Sequence, residues 1–397
     1  MQLSRRITSL TDDGAGGWGV FYRARRMVED GQEITQLTIG EHDIPTDPAI
    51  LQAMHKSAMG GHTGYAAVPG VAKLRRAVAQ RVEAQTGVPT TPANVMITPG
   101  GQAALFAAHM AVCDAGDRAL YLDPYYATYP GTIRSAGATP VPVTTRPQDA
   151  FEPREEDLRA SANGARSLLI NSPNNPTGVV YSRQTIEGVA RVCRDHDLWL
   201  ISDEVYDTQI WEGHHISPRS LDGMTERTLV IGSMSKSHAM TGSRVGWVVG
   251  PEDLINCLIE LAVNTTYGVP GYIQDGAYFA LQQGPALERA IAEPFRRRRA
   301  LGTALTGAQN LVGLIPSAGA MYMMLDIRAT GLSGEEFANR LLDERAIAVM
   351  PGESFGKAAA GHIRVAMTVS DAAFETALQT LLKFAHHIAK KDMNNGQ

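Results

Sequence analysis

Short apolar runs and helical stripes alternate through the middle of the chain. The runs are Val95–Ile97, Ala119–Leu122, Ser167–Ile170, Leu198–Ile201, Leu229–Ile231 and Val245–Val249. Brief, nearly continuous apolar runs of this kind predict strands buried on both faces. Between the third and fourth, Ile186, Val189, Ala190 and Cys193 recur at helical spacing, as do Val71, Leu74, Val78 and Val82 ahead of the first. Strands separated by helices predict an α/β fold with a mostly parallel sheet covered by helices on both faces.

The opening residues are rich in glycine and arginine and predict irregular chain, then a helix from about Phe21 to Asp30. Beyond about residue 280 the pattern changes. A long helix is predicted over Pro285–Leu311, a strand over Met321–Leu325 and a helix over Gly334–Glu344. Ile363, Val365 and Met367 then alternate as one face of a strand, with Arg364 on the other. The expected division is an N-terminal segment (1–45) joining a smaller α/β domain (281–397), with a large domain (46–280) between them.

In such a sheet, ligands collect outside the carboxyl ends of the strands. The polar residues fall there: Gly100-Gly101-Gln102, Asp123-Pro124-Tyr125-Tyr126, Asn171, Asp203, and Ser233 with Lys236. Five separate segments therefore contribute to one site.

Composition narrows the function classes. The chain has 397 residues, 44% hydrophobic and 19% charged, with a formal net charge of −5. That balance gives no broad electrostatic case for nucleic acid or an anionic membrane. The exception is Arg296-Arg297-Arg298-Arg299, which in helical surroundings predicts a solvated or interface helix face. Cys113, Cys193 and Cys257 are isolated and predict reduced thiols in a cytoplasmic protein, with neither a disulfide frame nor a zinc site. No apolar leader follows Arg5 and Arg6, and no stretch approaches the ~20 apolar residues of a membrane helix. The polar tail Lys390–Gln397 is expected to fray.

Lys236 lies in Gly232-Ser233-Met234-Ser235-Lys236-Ser237-His238, and Arg244 follows eight residues later. Small hydroxylated residues around a lysine, with an arginine close behind, suggest a covalently held cofactor beside a phosphate site, which is pyridoxal-phosphate chemistry. Such a site also needs a carboxylate at the pyridine nitrogen and a surface for the ring. Asp203 is placed for the first, although a lone aspartate there reads equally as a strand-end cap. Tyr206 is near enough in sequence to reach the ring hydroxyl. Ser233, Ser235 and Arg244 suit phosphate, because an arginine fork donates two parallel hydrogen bonds. Amides after Gly100 would add a helix-terminus anion site, or the glycines form only a tight turn. Asn175 lies in a dense turn, Asn171–Gly178. Tyr125 and Tyr126 offer stacking faces or core packing.

With these residues together, the chain resembles the class I/II aminotransferases, members of the fold type I pyridoxal-phosphate enzymes. Asn-Asn-Pro-Thr-Gly at 174–178, Ser-Asp-Glu-Val-Tyr at 202–206, and Ser233-Met234-Ser235-Lys236 with Arg244-Val245-Gly246 carry the resemblance. It implies a seven-stranded, mostly parallel sheet in the large domain. It implies Lys236 as the lysine that bonds pyridoxal 5'-phosphate, Asp203 at the pyridine nitrogen, and Tyr206 and Asn175 at the ring oxygen. Tyr126 matches the stacking aromatic, with Tyr125 the alternative. Gly101, Gln102, Ser233, Ser235 and Arg244 match the phosphate ligands. Tyr65 matches a tyrosine that reaches the neighbouring subunit's phosphate, which implies a homodimer with shared active sites. Arg364 matches the arginine that grips the substrate α-carboxylate, and Gly40 lines the same end of the pocket.

The reaction so implied is ping-pong transfer of an amino group between an α-amino acid and a 2-oxo acid, with Lys236 as base and acid in turn. A pyridoxal-phosphate carbon–sulfur β-lyase would use much the same residues. A cofactor-binding regulatory domain is disfavoured, because the enzyme fold already occupies the chain and no basic DNA-binding addition fits. Trp18, Tyr22, Tyr267 and Met321 are candidates for an apolar substrate pocket or for ordinary core, and Arg23, Arg25 and Arg26 for a second cation.

Overall fold

The computed structural model describes residues 1–11 and 18–395, and side chains up to residue 390. Among the described residues twelve strands follow in chain order: β1 (Thr35–Leu37), β2 (Val95–Thr98), β3 (Arg118–Asp123), β4 (Thr139–Thr144), β5 (Ala165–Asn171), β6 (Trp199–Asp203), β7 (Thr228–Ser233), β8 (Gly246–Val249), β9 (Gly313–Leu314), β10 (Tyr322–Asp326), β11 (Ile347–Pro351) and β12 (His362–Ala366). Seven form one sheet in the order β2-β8-β7-β6-β5-β3-β4. All its pairings are parallel except those of β8, which runs antiparallel to both β2 and β7. Because β8 returns directly after β7, its start lies beside the end of β7. Arg244 is thereby delivered next to Ser233 rather than a sheet's length away.

The apolar strand runs are buried as predicted, in three clusters. Two cover opposite faces of this sheet: one includes Leu105, Leu169, Ile201 and Ile231; the other includes Leu120, Leu168, Val189 and Leu200. The third, with Val95, Ile97, Val230 and Val249, lies at the β2-β8-β7 end of the sheet. The seventh strand, β4, has no apolar run to mark it. Its sequence Thr-Pro-Val-Pro-Val-Thr buries only Val143 fully and pairs only with β3. Alternating prolines are compatible with an edge strand, because no outer neighbour needs their missing N–H groups. Helices Glu252–Val263 and Gly271–Gln282 also escape the sequence reading; the first packs on β2 and the helix Gly100–Val112, the second on the helices Pro48–Met59 and Ala72–Thr86.

The second sheet has the order β1-β11-β12-β10-β9. The N-terminal β1 pairs in parallel with β11, so the chain's beginning completes a sheet made near its end. Its core includes Phe295, Met323, Phe337, Leu341, Val365 and Phe374. The helices predicted at about 21–30, 285–311 and 334–344 are Gly19–Glu29, Pro285–Gly307 and Gly334–Arg345. The final helix, Asp371–Asn395, runs further into the polar tail than expected, and Gly396 and Gln397 lie outside the described residues. Gly14, Gly16 and Gly17 of the glycine-rich opening lie outside them as well.

The arginine run corrects its prediction. Its members point in different directions, and Arg298 is only 4% exposed. Arg298 binds both oxygens of Asp43 at 2.9 and 2.7 Å, Asp371 at 2.8 Å and the Met367 carbonyl at 2.9 Å. Arg297 also reaches Asp371, while Arg299 bonds the Ser317 carbonyl. Helical spacing cannot distinguish a solvated face from one covered by an aspartate-bearing loop. Asp43 ties the segment around Gly40 to the second sheet's long helix.

Candidate active site

A cavity of about 310 Å³ lies where the carboxyl ends of the large sheet meet the segment from Trp18 to Glu41 and strands β10 and β12. Among the residues lining it are Gly40, Gly101, Gln102, Tyr126, Asn175, Asp203, Tyr206, Ser233, Ser235, Lys236, Arg244 and Arg364. Every residue that the family resemblance matched to a cofactor or substrate role is therefore at this cavity except Tyr65 and the alternative Tyr125. Tyr65 is 91% exposed and packs edge-on against Tyr267, with ring centroids 5.0 Å apart. Tyr126 faces the cavity, whereas Tyr125 packs against Tyr121.

Lys236 stands on a single helical turn, Met234–Ser237, that follows β7 without a loop. Ser233 caps the turn, its Oγ accepting from the Ser235 amide at 3.1 Å. The Lys236 Nζ donates to the Gly40 carbonyl. Burial lowers its pKa below the ordinary lysine value, and nearby Arg364 and Arg244 add to the effect, while Tyr322 and Glu41 oppose it. A larger fraction of neutral amine follows, which is the form that acts as nucleophile or base.

Asp203 ends β6 on the cavity floor. Tyr129 Oη donates to its Oδ2 at 2.7 Å, and the Val205 amide approaches Oδ1 at 3.4 Å. Burial pushes the Asp203 carboxyl up to about 6, against the effect of those two bonds. A carboxylate held this way is a strong partner for a cation or a protonated ring nitrogen.

The turn Asn171–Gly178 satisfies itself. Asn171 accepts from the Asn175 amide at 2.8 Å and donates to the Asp203 carbonyl at 2.9 Å; Asn174 accepts from the Thr177 hydroxyl at 2.8 Å. The Asn175 side chain is left to face Arg364, whose Nη1 donates to its Oδ1 at 2.8 Å. Arg364 is 2% exposed and lies between the rings of Tyr322 and Phe355, each centroid 4.4 Å from its guanidinium carbon. Its other fork nitrogen donates to the Thr38 carbonyl, while its Nε is buried with no partner. A buried cation that retains an unused donor fits a site awaiting an anion.

The end of the cavity beside Arg244 is shaped by glycine. Gly100 has φ +80°, and a Cβ there would lie 2.3 Å from an Arg244 guanidinium nitrogen. Gly100 opens the helix Gly100–Val112, and Gly246 lets β8 pass against that opening. Arg244 is anchored by a 2.9 Å bond to the Thr241 carbonyl. The arginine, the serines of the β7 turn and the helix amides thus surround one end of the cavity.

A family model described as aminotransferase class I and II matches residues 32–381. The chain belongs to that family. It is 42% identical over 372 residues to an arginine–pyruvate transaminase of Pseudomonas aeruginosa, covering 93% of this chain and 94% of the relative. It is 34% identical to an aspartate/prephenate aminotransferase of Thermus thermophilus, covering 95% and 97%. Aspartate aminotransferase from Thermus thermophilus with maleate superposes with a TM-score of 0.89 at 33% identity, covering 97% and 99%. These relatives make the chain an aminotransferase, as expected. They support transamination over β-elimination and over a regulatory role.

Sequence reasoning missed Tyr129 and Tyr322 as cavity residues; Asn171, expected among the strand-end polar residues, and Trp18, left between pocket and core, both line the cavity. Tyr129 was legible as a third tyrosine one helical turn beyond Tyr125-Tyr126. Tyr322, whose hydroxyl lies 2.9 Å from that of Tyr206, carried no local signal because it comes from the other sheet. Met321 is core, Tyr22 and Tyr267 are half exposed away from the cavity lining, and Arg23 pairs with Asp343. Arg25 sits over the Phe21 ring, and neither it nor Arg26 lines the cavity.

Proposed function

We propose that this aminotransferase binds pyridoxal 5'-phosphate in the cavity and exchanges amino groups between an α-amino acid and a 2-oxo acid there. The observation that carries the reading is the convergence of Lys236, Asp203 and Arg364 on one 310 Å³ cavity beside a glycine-and-arginine anion cradle. The donor set fits the cofactor: a lysine amine, a buried carboxylate, an aromatic face at Tyr126, and a fork with hydroxyls for phosphate. When bound, pyridoxal phosphate supplies an electron sink that stabilises negative charge at the amino acid's α-carbon.

In this reading the Asp203 carboxylate pairs with the ring nitrogen, and Tyr129 holds that carboxylate in place. Tyr206 and the Asn175 amide meet the ring oxygen. Gly101, Gln102, Ser233, Ser235 and Arg244 hold the phosphate. Arg364 orients the substrate by its α-carboxylate, and Asn175, Thr38 and the flanking rings keep the guanidinium from turning. The Lys236 Nζ removes the α-proton and returns it on the cofactor side, which its lowered pKa favours. Gly40 stays a glycine because a Cβ would lie 1.8 Å from the Tyr322 hydroxyl.

The reading extends to assembly and setting. Tyr65, exposed and absent from its own cavity, completes the phosphate site of a second copy in a homodimer with shared active sites. Residues 46–280 carry the cofactor, and 281–397 with 1–45 carry Arg364 and Gly40 against it. The unpaired cysteines fit a cytoplasmic protein. Among the described residues no helix is long and apolar enough to cross a membrane.

The test is direct. Cofactor-loaded protein receives single amino acids with pyruvate or 2-oxoglutarate while new amino acid and ammonia are followed separately. Arginine with pyruvate, the pair named for the Pseudomonas relative, belongs at the head of the panel. New amino acid without ammonia is expected; stoichiometric ammonia, or no turnover of any amino acid, contradicts the proposal.

A further inference from the structure

The charges around the cavity leave one group without a task. Its lining carries three cations, Lys236, Arg244 and Arg364, and two anions, Glu41 and Asp203. On the reading above, Lys236 holds the cofactor, Arg244 its phosphate, Asp203 its ring nitrogen and Arg364 the substrate's α-carboxylate. Glu41 remains, and among the described residues lining the cavity no cation remains with it.

Glu41 directly follows Gly40, whose carbonyl receives the Lys236 Nζ. It therefore stands at the reacting end rather than on remote surface. It is exposed toward the mouth, and its Oε1 accepts from the Thr241 hydroxyl at 3.1 Å. Its other oxygen has no hydrogen-bond partner among the described residues. The half-buried indole of Trp18 lines the same cavity. Gln102, also at the wall, is uncharged, and its amide is tied between Thr128 at 3.0 Å and Thr132 at 2.6 Å.

We propose that Glu41 selects amino donors whose side chain is cationic, a guanidinium or an ammonium, with Trp18 giving the aromatic face beside it. A guanidinium suits the pair because its fork matches a carboxylate and its flat face stacks on an indole. A dicarboxylic donor would bring a second anion to a mouth that already holds Glu41 and, among the described lining residues of this chain, offers no spare cation. The same argument favours a monocarboxylic 2-oxo acid over 2-oxoglutarate as acceptor.

This inference rests on the aminotransferase site as assigned above. Its test compares L-arginine with L-citrulline, which replaces the guanidinium by a neutral ureido group of nearly the same shape, and with L-glutamate. In the holoenzyme, kcat/KM for arginine should exceed that for citrulline about ten-fold, with glutamate below both. In Glu41→Gln the arginine-to-citrulline ratio should fall toward one, and Glu41→Asp should retain part of it. Calorimetry with the guanidinoalkyl carboxylate that is arginine without its α-amine gives a readout free of turnover, and should show the same loss in Glu41→Gln. Glutamate or citrulline equal to or better than arginine overturns the inference while leaving the aminotransferase reading standing. So does an arginine-to-citrulline ratio unmoved by Glu41→Gln. Failure of every amino acid to react overturns both.

Discussion

Tyr129→Phe isolates the bond that keeps Asp203 ionised. The tyrosine hydroxyl donates to Asp203 Oδ2 at 2.7 Å, and both groups are buried. Burial pushes the Tyr129 phenol well above its usual pKa, so it stays a donor across the working range. Hydrogen bonds to charged groups contribute about 1.5–3 kcal/mol, and 1.36 kcal/mol corresponds to one pKa unit, so losing this bond should raise the carboxyl by about 1–2 units. From about 6 in the wild-type apoprotein, the midpoint moves to roughly neutral or above. The cofactor's ring nitrogen needs the carboxylate, so cofactor affinity falls as pH drops through that midpoint. At pH about 7 the loss in the variant should be about two- to ten-fold, and the two proteins should converge at higher pH. The assay is apoprotein titrated with pyridoxal phosphate by absorbance or fluorescence across the pH range. The cofactor's own titrations are common to both proteins, so the displacement between profiles reports Asp203. Superimposed profiles from a folded variant would refute the role given to Tyr129.

Asp203→Asn follows from the same carboxyl with the opposite sign for stability. An unfolded aspartate titrates near ~3.9, so between that pH and about 6 the unfolded chain has lost a proton that the folded apoprotein keeps. Folded stability therefore declines as pH rises through that window, by about 3 kcal/mol in full. Denaturant unfolding of the apo variant should show it more stable than wild type at about pH 8 and equal at about pH 4, with its cofactor affinity largely lost. Equal stabilities at both would contradict the burial argument. Gly246→Ala places a Cβ 2.7–2.8 Å from backbone atoms of Gly100, Gly101 and Gly232, none of which is a flexible side-chain end. It should cost about 1–3 kcal/mol of stability and weaken cofactor binding, and an unchanged thermal midpoint would show the contact is slack. For the shared site, Tyr65→Ala and Lys236→Ala chains mixed and reassembled should recover up to about a quarter of wild-type activity, from heterodimers with one intact site. No recovery from confirmed heterodimers would place Tyr65 outside the partner's site.

What the chain disclosed in advance depended on whether the evidence was local. The buried parallel strands β5, β6 and β7 were legible because both faces are covered, which leaves unbroken apolar runs. Their polar ends marked Asn175, Asp203 and Lys236 by position alone. The edge strand β4 was hidden because an edge tolerates prolines and needs little burial. Arg298 was misread because the acids that enclose it, Asp43 and Asp371, are distant in sequence. Tyr322 and Trp18 were invisible or ambiguous for the same reason: the second sheet and the N-terminal segment bring them to a cavity floored by other strands. The antiparallel turn from β7 into β8 explains why Lys236 and Arg244, close in sequence, also meet in space.

The most direct test of the central claim is to reduce the cofactor-loaded protein with borohydride and map the labelled peptide by mass spectrometry. The account predicts one labelled site per chain, at Lys236, with the visible absorbance of the bound cofactor lost on reduction and absent from Lys236→Ala. Label at a different lysine, or a wild-type absorbance retained in Lys236→Ala, would contradict it.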